Sequence, residues 1–165
     1  MKKRRLQRKH KVSPIPAGYH TVTAYLACGD AARAIEFYKK AFGAKEILRM
    51  SGPDGRIGHA ELKIGDSRVM LTDEYREMDF LSPLTRGGTT VHMHLYVRGV
   101  DKLVERALAA GAKLLHPVQD KFYGDRMGTV RDPFGHVWHI ATHTEDLSMR
   151  ELRKRGEKAM KESGS

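Results

Sequence analysis

The chain of 165 residues lies within the usual size of one globular domain, and an apolar content of 40 % is enough for a hydrophobic core. No run of about 18 apolar residues is present, so the sequence excludes a membrane-spanning helix. The basic N-terminus has no apolar segment behind it, which argues against a secretory signal, and the single Cys28 cannot form an intrachain disulfide. These features lead us to expect a cytoplasmic protein.

The net charge of +10 is carried by the two ends of the chain. Residues 14–148 contain equal numbers of basic and acidic side chains, and the excess of Lys and Arg lies in residues 1–13 and 149–165. Basic tails either bind polyanions through salt-sensitive contacts or serve as solvated ends. Weak polyanion binding through the tails is therefore one alternative, and the central domain gives no reason to expect a nucleic-acid-binding surface.

The first half of the chain predicts one βαβββ module. Residues 1–16 lack periodicity and are expected to form a basic disordered arm. A β-rich run over residues 21–28 precedes Asp30, which is placed to cap a helix that ends at Gly43. The apolar face of this helix is formed by Ile35, Tyr38 and Phe42. Turn signals then separate three further predicted strands, over residues 45–50, 57–64 and 68–72.

The second half repeats this order after a polar linker over residues 73–88. Asp101 is placed to cap the second helix, and Phe42-Gly43-Ala44-Lys45 is matched by Ala110-Gly111-Ala112-Lys113. The strands of the second copy are predicted near residues 91–97, 113–118, 126–131 and 136–142.

We therefore predict an α+β fold of two tandem βαβββ modules, about residues 20–75 and 89–143, in a domain over residues 17–148. The modules are expected to form a curved mixed sheet around a central cleft, with the helices on the outer face. Residues 149–165 are expected to form a basic C-terminal helix or tail. Exposed strand edges also favour a homodimer.

Five stretches of the sequence carry a resemblance to a known family. They read AYLACGDAARAIEFYKKAFGAKE, GHAELKIGDSRVMLTDE, LSPLTRGGTTVHMHLYV, FYGDRMGTVRDPFGHVW and IATHTEDLS. Together they resemble the vicinal oxygen chelate superfamily of glyoxalases, bleomycin-resistance proteins and extradiol dioxygenases, and within it the PhnB-like proteins. The resemblance is specific for the fold, whereas the fold hosts many chemistries as well as plain binding.

The resemblance also implies where a divalent metal would lie. Metal-dependent members place ligands at the start of each module's first strand and on its last strand. In this chain the second module offers His92 and His139, whereas the first offers Thr23 and, on its last strand, Val69 or Met70. His92 and His139 are thus the predicted ligands of zinc, nickel, manganese or iron. The alternative is that they act without metal, as hydrogen-bonding groups or general bases.

Three further side chains have open roles. Strand alternation places Glu61 in the cleft, where it is a catalytic general base, a third metal ligand, or the ion-pair partner of Lys63 or Arg131. His94 is the other candidate for a third ligand. Arg126 follows a glycine-containing aromatic segment and is a candidate for gripping an anionic substrate, the alternative being a structural pair with Asp125.

Two functions follow from these residues. One is a metal-dependent lyase, isomerase or dioxygenase-type enzyme of the glyoxalase kind, acting on a small oxygen-rich or electrophilic molecule in the cleft. The other is a non-catalytic protein that binds and sequesters a small molecule of antibiotic type, as bleomycin-resistance proteins do. The two histidines favour the enzyme, and the missing ligands of the first module favour the binding protein.

Overall fold

The computed structural model describes residues 12–163, so most of the predicted basic arm lies outside the described residues. The first module consists of β1 (Ala24–Cys28), α1 (Ala31–Phe42), β2 (Lys45–Ser51), β3 (Ile57–Ile64) and β4 (Ser67–Asp73). A 3₁₀ turn (Arg76–Met78) and α2 (Pro83–Arg86) interrupt the segment predicted as a linker. The second module consists of β5 (His92–Tyr96), α3 (Val100–Ala109), β6 (Lys113–Asp120), β7 (Asp125–Arg131) and β8 (Val137–His143), and α4 (Met149–Ser163) follows.

The strands form two four-stranded mixed sheets with the same order in both modules. The first sheet has the order β1-β4-β3-β2 and the second β5-β8-β7-β6. In each sheet the first strand runs parallel to the last one, and the other pairs are antiparallel. The prediction of an α+β fold with two tandem βαβββ modules is confirmed. Because each sheet has its own hydrogen bonds, β1 and β5 remain edge strands within the described residues.

Helix α1 begins and ends as the sequence predicts. The Asp30 carboxylate accepts a hydrogen bond from the backbone N–H of Arg33 at 2.9 Å, and Gly43 takes the left-handed conformation, with φ of 68°. The prediction for α3 is wrong at its start. Gly99 is the N-cap, and Asp101 lies inside the first turn, where its carboxylate pairs with Arg126.

One core joins the two modules, and a buried carboxylate lies inside it. Asp132, only 4 % exposed, occupies the turn between β7 and β8. One of its oxygens accepts from the Tyr38 hydroxyl of α1 at 2.7 Å and from the indole N–H of Trp138 at 2.9 Å. The other accepts from the backbone N–H groups of Phe134 and His136, each at 2.9 Å. Four donors compensate the burial of this charge, and burial together with Asp132 raises the pKa of Tyr38.

A second buried contact fixes β1 against the second module. His136 is 7 % exposed, and its Nε2 donates to the backbone carbonyl of Ala27 at 3.1 Å. The thiol of Cys28 lies 3.9 Å from the same nitrogen and is fully buried. Burial, followed by the charge of Asp132, raises the pKa of Cys28. The sequence gives His136 no role, although it connects the edge of one sheet to the strand that carries His139.

The Asp132 cluster provides a test of how strongly the modules depend on each other. We expect Asp132→Ala to lower the free energy of unfolding by about 3 kcal/mol or more, because it leaves several buried donors without an acceptor. Tyr38→Phe removes one donor only and should cost about 1–2 kcal/mol. Urea denaturation measures both values, with Asp146→Ala, an exposed carboxylate at 104 % side-chain accessibility, as the control. Equal stability of Asp132→Ala and the control would contradict this assignment.

Candidate functional site

The concave face of the second module carries a group of histidines. His92 and His94 project from β5, next to the core-facing Met93 and Leu95, and His139 projects from β8. The Nδ1 atom of His92 lies 3.0 Å from Nε2 of His139, within hydrogen-bond distance. The predicted alternation of β5 and β8 thus places the two residues together.

His139 is held from both sides. Its Nε2 faces His92, and its Nδ1 lies 2.9 Å from the hydroxyl of Thr129 on β7. Partial burial lowers the pKa of His139 first, and the neighbouring His92, His94, His116 and Lys121 lower it further. These four side chains are basic, so the surroundings of His139 suit a negatively charged ligand.

The register of the sheets identifies the matching positions in the first module. Tyr25 pairs with Met70 between β1 and β4, as His94 pairs with His139 between β5 and β8. Met70 is therefore the counterpart of His139, and it settles the choice between Val69 and Met70 that the sequence left open. A thioether is a weak ligand for the hard or borderline metals considered above. The first module offers no strong ligand at either position.

A metal fits this site only in part. The 3.0 Å between the two facing imidazole nitrogens is close to the separation of about 3.3 Å expected between two ligands of a tetrahedral zinc ion. Catalytic zinc sites usually take three protein ligands. Among residues 12–163, no group of three or more His, Cys, Asp or Glu side chains is arranged to hold a metal ion. The described residues thus offer two candidate ligands, and neither Glu61 nor His94 completes a set of three.

Glu61 lies on the concave face, as predicted, but with different partners. Its carboxylate contacts Arg68 on β4 at 3.1 Å and His59 on its own strand at 3.4 Å. The predicted pairing with Lys63 or Arg131 is therefore wrong. The neighbouring Tyr19 hydroxyl, followed by His59 and Arg68, lowers the pKa of Glu61, so it is ionised at neutral pH. A catalytic role for Glu61 stays a prediction.

Arg126 lies on β7, away from the histidines. It makes a bidentate contact with Asp101, at 2.7 and 2.9 Å, and a further contact with Asp120 at 3.1 Å. The predicted pair with Asp125 is wrong, because the buried Asp125 accepts from the Tyr96 hydroxyl and contacts His143 instead. Since two carboxylates already neutralise its guanidinium, an anion-gripping role for Arg126 finds no support in its surroundings and stays a prediction.

A groove that the sequence did not indicate lies between β1 and the segment that joins the modules. It has a volume of about 750 Å³ and is lined by Tyr25, Phe80, Met93 and His136 among others. Glu74 holds the joining segment in place by accepting from the Thr85 hydroxyl at 2.6 Å and the backbone N–H of Ser82 at 3.1 Å. These bonds lower the pKa of Glu74 to about 2. The polar composition of residues 73–88 predicted only a linker. Tertiary contacts make this segment one side of the groove.

The C-terminal segment forms a helix against the second module. Arg155 of α4 makes a bidentate contact with Glu145, at 2.7 and 2.8 Å, and Gly156 packs near the ring of Phe122. Within residues 12–163, no helix is long and apolar enough to cross a membrane. The helix has basic residues on its exposed side, Arg150, Arg153, Lys154, Lys158 and Lys161. Polyanion binding through the tails and a cytoplasmic location stay predictions.

Comparison with known families agrees with the fold. Residues 19–140 match the model of the Glyoxalase/Bleomycin resistance protein/Dioxygenase superfamily. The chain therefore belongs to this superfamily, as its sequence motifs indicate. An uncharacterized protein of Mycobacterium tuberculosis is 42 % identical over 135 residues, which cover 80 % of this chain and 79 % of the relative.

Solved structures support the same assignment. TioX from Micromonospora is 33 % identical, with a TM-score of 0.57 over 73 % of this chain and 96 % of its own. The PhnB protein of Bacillus cereus is 18 % identical, with a TM-score of 0.59 over 74 % and 99 % of the two chains. A FosX variant of Listeria monocytogenes, solved with Mn(II) and a dihydroxypropylphosphonic acid, is 19 % identical, with a TM-score of 0.58 over 81 % and 94 %. The last two similarities concern the fold alone.

The basic surroundings of His139 lead to a prediction for its titration. We expect His92→Gln to raise the pKa of His139, because it removes one of the basic neighbours that lower this pKa. A lowered pKa also means that the folded protein binds this proton less tightly than the unfolded chain. The free energy of unfolding should therefore fall as the pH drops below about 6.5, and fall less in the variant.

NMR titration of the histidine side chains measures the pKa, and denaturation at several pH values measures the stability. His20→Gln is the control, because His20 is exposed and does not affect the pKa of His139. An unchanged His139 pKa in His92→Gln would contradict the contribution of His92 and leave burial and the other basic neighbours as the causes.

Proposed function

We propose that this chain is a small-molecule-binding protein of the glyoxalase superfamily, and that its ligand is a small, oxygen-rich anion. The observation that carries this proposal is the contact between His92 and His139, whose basic side-chain neighbours shift the pKa of His139 in the same direction. Imidazole groups donate hydrogen bonds to the oxygen atoms of carboxylates and phosphonates, and such bonds to charged groups are the stronger ones.

The pattern of ligand positions supports binding as the primary role. Two of the four positions that carry metal ligands in metal-dependent relatives hold Thr23 and Met70 in this chain. The second candidate function is a metal-dependent enzyme of the glyoxalase type. It is favoured by one observation, the 3.0 Å between the facing nitrogens of His92 and His139, which suits two ligands of one divalent ion. In that case His92 and His139 would hold a metal that polarises a substrate oxygen.

Calorimetric titration with inorganic phosphate and with pyruvate tests the proposal. We expect the parent protein to bind at least one of these probes, and His92→Gln and His139→Gln to weaken binding about ten-fold or more, since each removes an imidazole hydrogen bond to a charged group. His20→Gln is the matched control and should bind like the parent.

Two results would overturn the anion-binding proposal. One is the absence of binding of both probes by the metal-free parent, and the other is unchanged affinity in both histidine variants. Elemental analysis of the purified protein decides on the second candidate. Near-stoichiometric metal that is lost in a His92→Ala, His139→Ala double variant would establish the metal site that the second candidate requires.

We further propose that two copies of the chain pair. Edge strands β1, β2, β5 and β6 each lack a neighbour on one side within the described residues. Large apolar side chains are exposed on or beside two of them, Met50 on β2 at 57 % and Val91 beside β5 at 67 %. One chain has a mass of 18.6 kDa, and light scattering after gel filtration should give twice this value. A Met50→Lys, Val91→Lys variant should shift the protein toward the monomer, and a monomeric parent would contradict the pairing.

A further inference from the structure

The concave face of the first module holds a chain of three polar side chains, separate from the histidines of the second module. The Tyr25 hydroxyl of β1 lies 3.0 Å from Nδ1 of His59 on β3. On its other side, Nε2 of His59 lies 3.4 Å from a carboxylate oxygen of Glu61. The order phenol, imidazole, carboxylate is that of a nucleophile or acid, a base, and a group that orients the base.

The direction of the hydrogen bonds follows from Glu61. Arg68 holds one oxygen of this carboxylate at 3.1 Å, and the carboxylate is ionised at neutral pH. An ionised carboxylate only accepts hydrogen bonds, so Nε2 of His59 carries the hydrogen. In the neutral ring Nδ1 is then the acceptor, and it receives the bond from the Tyr25 hydroxyl. Glu61 therefore selects the form of His59 that can take a proton from Tyr25.

Tyr25 is accessible to a small molecule. The residue is 44 % exposed and lines the groove of about 750 Å³ between β1 and the joining segment. Phe80 also lines the groove and makes an edge-to-face contact with the Tyr25 ring at 5.2 Å between centroids. His59 and Glu61 are more enclosed, with 26 % and 16 % of their side chains exposed. Of these three side chains, the Tyr25 phenol is thus the one that a ligand in the groove would contact first.

We propose that Tyr25, His59 and Glu61 form a proton-transfer site that acts on a small molecule held in this groove. In the forward direction the Tyr25 oxygen takes a proton from an O–H or activated C–H group of the ligand, as its own proton passes to Nδ1 of His59. The ligand leaves as its conjugate base, and the imidazolium is stabilised by the Glu61 carboxylate. Return of the proton by the reverse route protonates a ligand atom and restores the site.

Tyr96 provides an internal comparison for this proposal. It is a second tyrosine of a concave face and is 60 % exposed, more than Tyr25. Its hydroxyl donates at 2.9 Å to the buried carboxylate of Asp125, and no imidazole accepts its proton. Hydrogen bonding to Asp125, with burial, raises the pKa of Tyr96, and burial raises the pKa of Tyr25 as well, so the two tyrosines differ in the partner of the hydroxyl. If exposure alone decided reactivity, Tyr96 would react faster than Tyr25.

The reaction of the full chain with phenylmethanesulfonyl fluoride tests the base. The Tyr25 oxygen attacks sulfur, fluoride leaves, and the phenol proton passes to His59, so that the modified tyrosine is detected by mass spectrometry. We expect Tyr25 to be labelled faster than Tyr96, and His59→Gln to slow this reaction by about 100-fold, the low end of what a positioned base contributes. Glu61→Gln should slow it to a smaller extent, and Tyr25→Phe should abolish the label.

A second measurement keeps the proposal testable if a variant fails to fold. Long-range ¹⁵N–¹H spectra of the parent should show His59 with its hydrogen on Nε2. Labelling of Tyr25 at the rate of Tyr96, an unchanged rate in folded His59→Gln, or a His59 hydrogen on Nδ1 would each overturn the proposal. Because the probe reacts in the first module, these outcomes are independent of phosphate or metal binding at His92 and His139.

Discussion

The buried carboxylate of Asp132 joins the two modules that carry the candidate functional side chains. Its two oxygens accept hydrogen bonds from α1, from the turn between β7 and β8, and from Trp138. One carboxylate therefore connects elements that are far apart in the sequence. The same turn presents His136 to the backbone of Ala27 on β1. Through these contacts the strand that carries Tyr25 and the strand that carries His139 are held by one rigid core, although their sheets share no hydrogen bonds.

The two modules have the same backbone plan but different chemistry on their concave faces. Met70 stands where the second module has His139, and Tyr25 stands where it has His94. The second module thus concentrates imidazole groups around a half-buried histidine, whereas the first aligns a phenol, an imidazole and a carboxylate. Duplication of a βαβββ unit explains the common register, and independent change of single side chains explains why each face suits a different ligand chemistry.

Local patterns in the sequence were sufficient for the fold. Alternation along β3 predicted that Glu61 faces the cleft, and its neighbours Ala60 and Leu62 are fully buried. The contact between His92 and His139 also followed, because parallel first and last strands bring these positions side by side. The start of α1 at Asp30 was also predictable, because a short polar side chain there precedes apolar residues at helical spacing.

The partners of long charged side chains could not be predicted in the same way. Arg126 reaches Asp101 on α3 and Asp120 on β6, past its neighbour Asp125, and Glu61 reaches Arg68 on β4. These choices depend on distances between elements, which sequence spacing does not contain. The groove beside Tyr25 was not predicted for a related reason. The polar joining segment lines it only because hydrogen bonds to Glu74 hold that segment against the domain.

The buried position of Cys28 has a practical consequence for work on this protein. Its thiol is enclosed between the modules and kept protonated by its surroundings, and it is the chain's single cysteine. Thiol reagents should therefore leave the native chain unmodified while it is folded. A cysteine introduced at an exposed site would then accept a fluorophore or spin label alone. Distances between copies, or between α4 and the sheets, become measurable without first removing a native thiol.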